Sequence, residues 1–343
     1  MNRILKIAGR ALLVLLFAAG AAAVWFLYFD GAAPAKRPDL VKLPADAPPP
    51  PPGYPTMNMI YLAYLTGNIE MLDPRAEYPV PETVDAERDI EYGTIGDTSL
   101  KLDLYRPKEI EGTLPTLIFV HGGGWTQGHR RDYTFYTLHF AERGYAAATI
   151  SYRFAQEAKY PAALEDTKCA IRWLKANAER LHLDPERFAI IGGSAGGNLS
   201  LMAGYTPGVA SLEGNGGNPD QSSAVQCVVD LYGPVDLSAP EAREHKTITR
   251  FLPQPYADDP DYYRAASPLY RLQAGAPPTF VLQGTIDDLV PVTQSDQLVE
   301  RLQELGVPHW YARLDGWPHT MDVAPEVNAY VLDLMQRFFE AYL

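Results

Sequence analysis

The sequence is short of cysteine and of positive charge. Only Cys169 and Cys227 occur in 343 residues, too few for a disulfide-stapled scaffold or a four-cysteine zinc site. Two separate buried thiols are expected, with a single disulfide as the alternative in an oxidising compartment. Lys and Arg number 29 against 42 Asp and Glu, which gives a net charge of −13. An acidic chain without a basic stripe binds nucleic acid poorly, so no such partner is expected.

The scarce positive charge is unevenly placed. Three basic residues in the first ten precede residues 11–29, a run of 19 residues without a charge. This is nearly the length that crosses a bilayer core as a helix. Residues 1–30 are therefore predicted to be an uncleaved membrane anchor. A cleaved signal peptide is the alternative, with small-residue sites at 21–23 or 33–35. Both place the remaining chain on the extracytoplasmic side.

Proline is concentrated just after this run. Nine of the 30 prolines fall between Pro34 and Pro55, five of them consecutive. Such a stretch is stiff and extended, so residues 31–55 are predicted to be a spacer that does not join a core. A ligand for a proline-binding module is the alternative. From residue 56 to 343 the pattern is that of one globular domain without internal repeats.

The globular part alternates short apolar runs with helical stretches, which predicts an α/β fold with a mostly parallel sheet covered on both faces. Residues 90–92 and 100–105 instead suggest an antiparallel hairpin around Gly96-Asp97. The expected buried strands are 116–120, 146–150, 188–191, 225–231 and 279–282. The expected helices are 161–180, 195–205, 292–305 and 325–342.

A G-x-S-x-G sequence joins a predicted strand directly to a predicted helix, with Gly192, Ser194 and Gly196 as its fixed positions. A sharp strand-to-helix turn exposes the serine oxygen above the sheet and needs small neighbours. The helix that follows points free N–H groups at developing negative charge. Ser194 is therefore the candidate nucleophile. A phosphate loop is disfavoured because no Lys-Ser/Thr pair follows the glycines.

A second glycine-rich loop, His121-Gly-Gly-Gly-Trp125, follows another predicted strand. Its unshielded N–H groups, together with that of Ala195, suit the negative oxygen of a tetrahedral intermediate. His121 is expected to brace this loop rather than to transfer protons.

The order serine, acid, histidine in such folds leaves two of the seven histidines late enough to be the base. His309 opens a strand-like run, whereas His319 follows that run at the carboxyl edge of the sheet, where ligand sites lie. His319 is therefore preferred. The acid should follow the strand 279–282, where Asp287 and Asp288 compete.

The order and spacing of these motifs resemble the α/β-hydrolase superfamily, and within it the hormone-sensitive-lipase-like carboxylesterases and acetyl esterases. The resemblance covers roughly residues 88–340. It implies an eight-stranded, mostly parallel sheet with small cap segments. It favours Asp287 over Asp288, because the family acid stands three residues after Gly284. It also implies that the oxyanion donors are Gly123, Gly124 and Ala195.

The chain departs from the family pattern at three positions. Gln283 replaces the histidine that usually precedes Gly284, and Thr320 follows the base where glycine is common. Gly193 stands before the nucleophile, where many lipase-type relatives carry Asp or Glu. None of the three removes a candidate catalytic group.

The resemblance implies hydrolysis of small to medium carboxylic esters by Ser194, His319 and Asp287 through an acyl-enzyme, with no metal or cofactor. An amidase or formamidase using the same residues is the first alternative, and a non-catalytic binding protein is the second. The oligomeric state stays open.

Two segments are candidates for setting specificity. Residues 57–65 are apolar and suit either a cap helix or ordinary packing against the domain. Residues 238–264 interrupt the strand–helix alternation, and their aromatic side chains are predicted to line an acyl or alcohol pocket. These side chains are Phe251, Tyr256, Tyr262 and Tyr263.

Overall fold

A computed structural model describes residues 35–74 and 76–343. Its centre is one eight-stranded sheet in the order β1-β2-β4-β3-β5-β6-β7-β8. The strands are β1 (Val84–Ile95), β2 (Thr98–Pro107), β3 (Leu114–Val120), β4 (Ala146–Ile150), β5 (Leu183–Gly193), β6 (Cys227–Leu231), β7 (Thr279–Gly284) and β8 (His309–Leu314). β1 pairs antiparallel with β2, and β2 antiparallel with β4. All other pairings are parallel.

Helices connect the strands and cover both faces of the sheet. The α-helices are α1 (Met57–Leu65), α2 (Thr134–Ala141), α3 (Ala162–Ala176), α4 (Ala178–Leu181), α5 (Ala195–Tyr205), α6 (Ala210–Glu213), α7 (Lys246–Phe251), α8 (Pro260–Ala265), α9 (Pro268–Arg271), α10 (Val292–Glu304) and α11 (Pro325–Tyr342). Short 3-10 helices lie at Arg130–Tyr133 and Met321–Val323.

The predicted α/β fold with a mostly parallel, eight-stranded sheet is confirmed. The central strands are apolar along their whole length because helices bury both of their faces. Every residue of β3, β4, β6 and β7 is buried. Two apolar clusters form, one on each side of the sheet. The predicted hairpin is also present, with Gly96 in a left-handed conformation (φ 58°) at its turn.

The predicted spacer does not stand away from this domain. Residues 35–55 are extended, as expected, but they lie along the domain, and Leu40 is buried in its core (2% exposed). Lys42 exchanges backbone hydrogen bonds with Tyr311 on the edge strand β8. Arg37 and Asp46 pair with charged groups of α10 and α11. The expectation that this segment cannot join a core is therefore corrected.

The proline-rich half of the segment packs on the domain without any N–H group from its prolines. The indole N–H of Trp317 donates to the carbonyl oxygen of Pro51 (3.1 Å). The N–H of Tyr54 donates to the oxygen of Gly316 (2.9 Å), and the Tyr54 ring meets Trp317 edge-on. Proline cannot continue a sheet ladder, but its carbonyl still accepts hydrogen bonds. We call residues 35–55 the strap.

The predicted anchor, residues 1–30, lies outside the described residues. Within residues 35–74 and 76–343, no helix is both long and apolar enough to cross a membrane.

Gly53 tests whether the strap is docked. A Cβ at this position would overlap the carbonyl oxygen of Asp315 and the backbone of Gly316. Gly53→Ala should therefore lower the free energy of unfolding by about 1–3 kcal/mol, as overpacking does. Urea unfolding followed by circular dichroism measures it.

The matched control is Pro49→Ala, at an exposed position of the same strap. It should cost less than about 1 kcal/mol, mainly through the entropy of the unfolded chain. Equal unfolding midpoints for Gly53→Ala and the unaltered protein would mean that the strap is not packed on residues 315–316.

Candidate active site

The site is built around the turn between β5 and α5. Ser194 sits in this turn with φ 57° and ψ −121°, a conformation that L-residues rarely adopt. The turn survives because its neighbours lack side chains. A Cβ on Gly192 would overlap the carbonyl of Gly196, and a Cβ on Gly196 would overlap the carbonyl of Val120. The G-x-S-x-G spacing thus follows from close backbone packing.

Ser194, His319 and Asp287 form one hydrogen-bonded line. The hydroxyl oxygen of Ser194 lies 2.9 Å from Nε2 of His319, and Nδ1 of His319 lies 2.7 Å from Oδ2 of Asp287. This arrangement suits an imidazole that donates from Nδ1 to the carboxylate and accepts the serine proton at Nε2. The other candidates lie elsewhere. His309 is buried on β8, with its Nδ1 beside the carbonyl oxygen of Val307, and Asp288 is exposed to solvent.

The loop after β7 holds the Asp287 carboxylate with three further donors. The backbone N–H groups of Leu289 and Val290 donate to Oδ1 (2.9 and 2.8 Å). The side-chain amide of Gln283 donates to Oδ2 (2.9 Å), and its own oxygen accepts from Ser295. A buried carboxylate with this many donors is fixed in orientation. In the sequence, Gln283 was only a departure from the family pattern. In the structure, its hydrogen bond helps to position the Asp287 carboxylate.

The expected oxyanion donors surround the serine. Ala195 is the first residue of α5, so its N–H has no partner within the helix. Gly123 and Gly124 follow β3 with φ 109° and 59°. Their N–H groups donate to no other group in the described part of the chain. Together they offer three free donors to an oxygen beside Ser194.

His121 lies beneath the glycine loop. It is 1% exposed and stacks on Tyr152 with ring centroids 4.4 Å apart. Burial lowers its pKa to about 4, so the ring is neutral at pH 7. Gly128 packs directly against this ring, and a Cβ there would overlap Nδ1. These contacts fit the expected bracing role.

A buried network behind His319 was not anticipated from the sequence. Asp322 accepts hydrogen bonds from the hydroxyls of Tyr232 (2.5 Å) and Tyr136 (3.0 Å). The Tyr232 ring meets His319 edge-on at 4.8 Å. Burial raises the pKa of Asp322 and that of Tyr232, and the neighbouring carboxylate raises the pKa of Tyr232 further. Tyr232 thus confines one face of the imidazole.

This network also explains the glycine before the nucleophile. A Cβ on Gly193 would overlap the hydroxyl of Tyr133 and crowd that of Tyr232. The space that an acidic side chain fills in many relatives is therefore taken by two tyrosines. Both rings are nearly fully buried.

Two cavities meet at Ser194. The smaller has a volume of about 70 Å³ and the larger about 440 Å³. The smaller cavity is narrower, and its lining combines the apolar groups of Trp125 and Ile248 with the polar groups of Glu241, His245 and Gln294. The larger is more open, carries carboxylate and hydroxyl groups, and is lined by His319.

The predicted aromatic lining is wrong in detail. Phe251, Tyr256, Tyr262 and Tyr263 line neither cavity at Ser194. Phe251 instead stacks flat beneath Trp125, with centroids 4.2 Å apart, and Tyr263 is fully buried. The excursion therefore lines the smaller cavity with residues such as Ile248 and Thr247, while one of its aromatic rings, Phe251, supports Trp125 from behind.

Metal-binding residues do not gather at this site. Among the described residues, no group of three or more His, Cys, Asp or Glu side chains is arranged to hold an ion. Cys169 and Cys227 are both buried and unpaired.

Three features together define an α/β-hydrolase. They are the order of the strands in the sheet, the serine in a sharp turn between a strand and a helix, and the hydrogen bonds that join Ser194, His319 and Asp287. Residues 102–302 match the family described as BD-FAE, and the chain belongs to it. The predicted resemblance to the carboxylesterase branch of the superfamily is confirmed by this match and by the relatives described next.

Two curated relatives come from Mycobacterium tuberculosis. The "probable carboxylic ester hydrolase LipM" is 34% identical over 250 residues, which are 70% of this chain and 57% of that protein. "Esterase LipC" is 32% identical over 304 residues, covering 81% of this chain and 74% of the relative. This chain therefore spans little more than half of LipM.

Solved structures are also similar. A "bifunctional GH43-CE" protein of Bacteroides eggerthii aligns with a TM-score of 0.69 and 28% identity, over 75% of this chain and 38% of that chain. A "truncated form of carbohydrate esterase from gut microbiota" aligns with a TM-score of 0.65 and 25% identity, over 77% and 98% of the two chains.

The contact between Gly193 and Tyr133 generates a double-mutant prediction. Gly193→Ala should lower the free energy of unfolding by about 1–3 kcal/mol, because the new methyl group overlaps the tyrosine hydroxyl. In a Tyr133→Phe background the overlapping oxygen is gone, so the same change should cost less. Urea unfolding of the four proteins gives the coupling energy. An equal cost in both backgrounds would show that the two residues do not compete for this space.

Proposed function

We propose that this protein is a serine carboxylesterase that acts through an acyl-enzyme. The observation that carries the proposal is the line from Ser194 through His319 to Asp287, with hydrogen-bond distances of 2.9 and 2.7 Å. Relatives described as carboxylic ester hydrolase and esterase support the same chemistry.

The first half-reaction forms a bond between the serine oxygen and the ester carbonyl carbon. His319 takes the hydroxyl proton at Nε2 as Ser194 attacks, and Asp287 stabilises the resulting imidazolium. The carbonyl oxygen becomes negative and is held by the N–H groups of Gly123, Gly124 and Ala195. The ester C–O bond then breaks, and His319 gives its proton to the departing alcohol.

The second half-reaction repeats these steps with water. His319 takes a proton from water, which attacks the acyl carbon and forms a second tetrahedral intermediate. Ser194 leaves with the proton returned by His319, and the carboxylic acid is released. Tyr232, edge-on to the imidazole, and Gln283, hydrogen-bonded to Asp287, keep the acid–base pair aligned through both halves.

The two cavities divide the substrate. The alcohol oxygen must meet His319, because that residue supplies its proton. The larger cavity contains His319 and therefore takes the alcohol part, which leaves the smaller, 70 Å³ cavity for the acyl part. Trp125, Ile248 and Leu289 limit the acyl length, while hydroxyl and carboxylate groups favour a polar alcohol. The structural relative described as a carbohydrate esterase supports such an alcohol.

A panel of 4-nitrophenyl esters from acetate to dodecanoate tests this proposal. We expect kcat/KM to be highest between acetate and butyrate and about tenfold or more lower from octanoate onward, because longer chains exceed the closed cavity. A flat profile, or a maximum at dodecanoate, would contradict the assignment of the acyl cavity.

Ser194→Ala should lower kcat by about 10⁴-fold or more, since the nucleophile is lost. Ser222→Ala is the matched control, because Ser222 is an exposed serine remote from both cavities, and it should retain full activity. Turnover that survives Ser194→Ala would overturn the mechanism. Faster turnover of acetyl 4-nitroanilide than of the acetate ester would favour an amidase.

We also propose that residues 1–30 anchor the enzyme in a membrane with its catalytic domain extracytoplasmic. The support is the 19-residue uncharged run behind three basic residues. On expression of the full chain in a bacterial host, the protein should stay in the membrane fraction after alkaline carbonate extraction. Recovery in the soluble extract as an intact chain would contradict an anchor, and recovery as a shortened chain would favour a cleaved signal.

A further inference from the structure

Helix α1 exposes apolar side chains over most of its surface. Ile60 and Ala63 are buried against the domain (4% and 5% exposed). Among residues 61–65, the last five of the helix, all the large side chains are exposed to solvent. The exposed fractions are 58% for Tyr61, 45% for Leu62, 51% for Tyr64 and 80% for Leu65. Met71 follows at 49%. We call these five side chains the α1 face.

Single exposed leucines are ordinary on a protein surface, but this concentration is not. Of the eight large apolar side chains exposed in the described chain, five belong to the α1 face. Side chains three and four positions apart are neighbours on a helix, so Tyr61 adjoins Leu65, and Leu62 adjoins Leu65. A helix that is apolar all round is normally covered on every side, and α1 is covered on one.

Charge is missing from the same region. Residues 47–69 contain 23 consecutive residues without Asp, Glu, Lys or Arg, in a chain whose net charge is −13. The stretch itself can therefore leave water without desolvating an ion. The charges in the cleft beside Tyr61 come from residues outside the stretch, namely Lys36, Asp287, Asp288 and Asp315. Tyr61 and Tyr64 bring rings with an apolar body and a polar tip, the type that settles at the headgroup level of a bilayer.

The position of α1 in the fold indicates what could cover the α1 face. Lys36, at the start of the described chain, and Tyr61 line the same cleft. The uncharged run 11–29 ends six positions before Ala35, a span of at most about 22 Å of extended chain. The run that we propose to enter a membrane therefore joins the domain on the side that carries the α1 face.

We propose that the α1 face docks on the surface of a lipid bilayer. A second copy of the chain is the competing occupant. The bilayer is favoured by the uncharged stretch, by the two tyrosines and by the closeness of residues 11–29. The chain after α1 continues to the site: Leu72 donates to Val323, and Asp73 and Pro74 line the cavity that contains His319. Docking therefore holds the mouth of the alcohol cavity near the membrane.

Spin labelling of the full chain tests the proposal without any assay of activity. Leu65→Cys provides the label site, and the native Cys169 and Cys227 are buried and do not compete for the reagent. The labelled protein is mixed with phosphatidylcholine vesicles, and collision rates with oxygen and with a water-soluble nickel chelate are measured. Immersion of the label raises the oxygen-to-nickel ratio.

We expect a ratio at Leu65→Cys several-fold above that at Glu109→Cys, an exposed site in the β2–β3 loop, outside α1 and outside the cleft that Tyr61 lines. Adding Leu62→Glu should return the residue-65 ratio toward the aqueous value, because a charge then lies in the docking face. An aqueous ratio at residue 65 would overturn the proposal. Immersion of the label that Leu62→Glu does not change would also overturn it. Shielding of the label in the absence of vesicles would overturn it as well and would indicate that a second copy of the chain covers the α1 face.

Discussion

The contact on which the site depends is the close approach of three backbone segments at the end of β5. Gly196 packs against the carbonyl of Val120, at the point where β3 leads into the glycine loop. Gly197 packs against Asp230, at the end of β6. Because no Cβ separates these segments, the serine turn, the oxyanion loop and the neighbouring strand are held in one register. The unusual backbone of Ser194 is a consequence of this packing, and so is its place in cavities that Gly123, Gly124 and Ala195 also line.

The local features of the fold were predictable from the sequence because they depend on short-range patterns. Apolar runs of four to seven residues became strands buried on both faces, and the stretches predicted as helices at 195–205 and 325–342 have those bounds in the structure. The serine, histidine and acid follow from their order at strand ends. The choice between Asp287 and Asp288 did not follow from the residues alone. It needed the family pattern, and the structure adds the physical difference: the loop donates two N–H groups to the Asp287 carboxylate.

What the sequence did not predict depends on contacts between distant segments. The strap has no periodicity to indicate a partner, and its bonds to β8 and to the His319 loop involve residues more than 250 positions away. Asp322 carries no motif, yet two tyrosines from different parts of the chain converge on it. The aromatic residues of the 238–264 excursion were predicted to reach the substrate on composition alone. None of them lines a cavity at Ser194, and Phe251 instead stacks beneath Trp125, which forms part of the small cavity's wall.

The proline-rich half of the strap and helix α1 belong to one uncharged stretch, residues 47–69. Its first part fixes the segment that leads to His319, since Pro51 accepts from the indole of Trp317 and Tyr54 binds Gly316, three residues before the histidine. Its second part presents apolar side chains to the surroundings. The backbone of Trp317 also accepts from Ile286, next to Asp287, so the same indole residue touches both the acid loop and the strap. The segment that we propose to meet a membrane is thereby joined to the acid–base pair by a few hydrogen bonds. Because these bonds lie within the chain, we expect the site to be complete before the proposed docking, which would set only the direction from which the ester arrives.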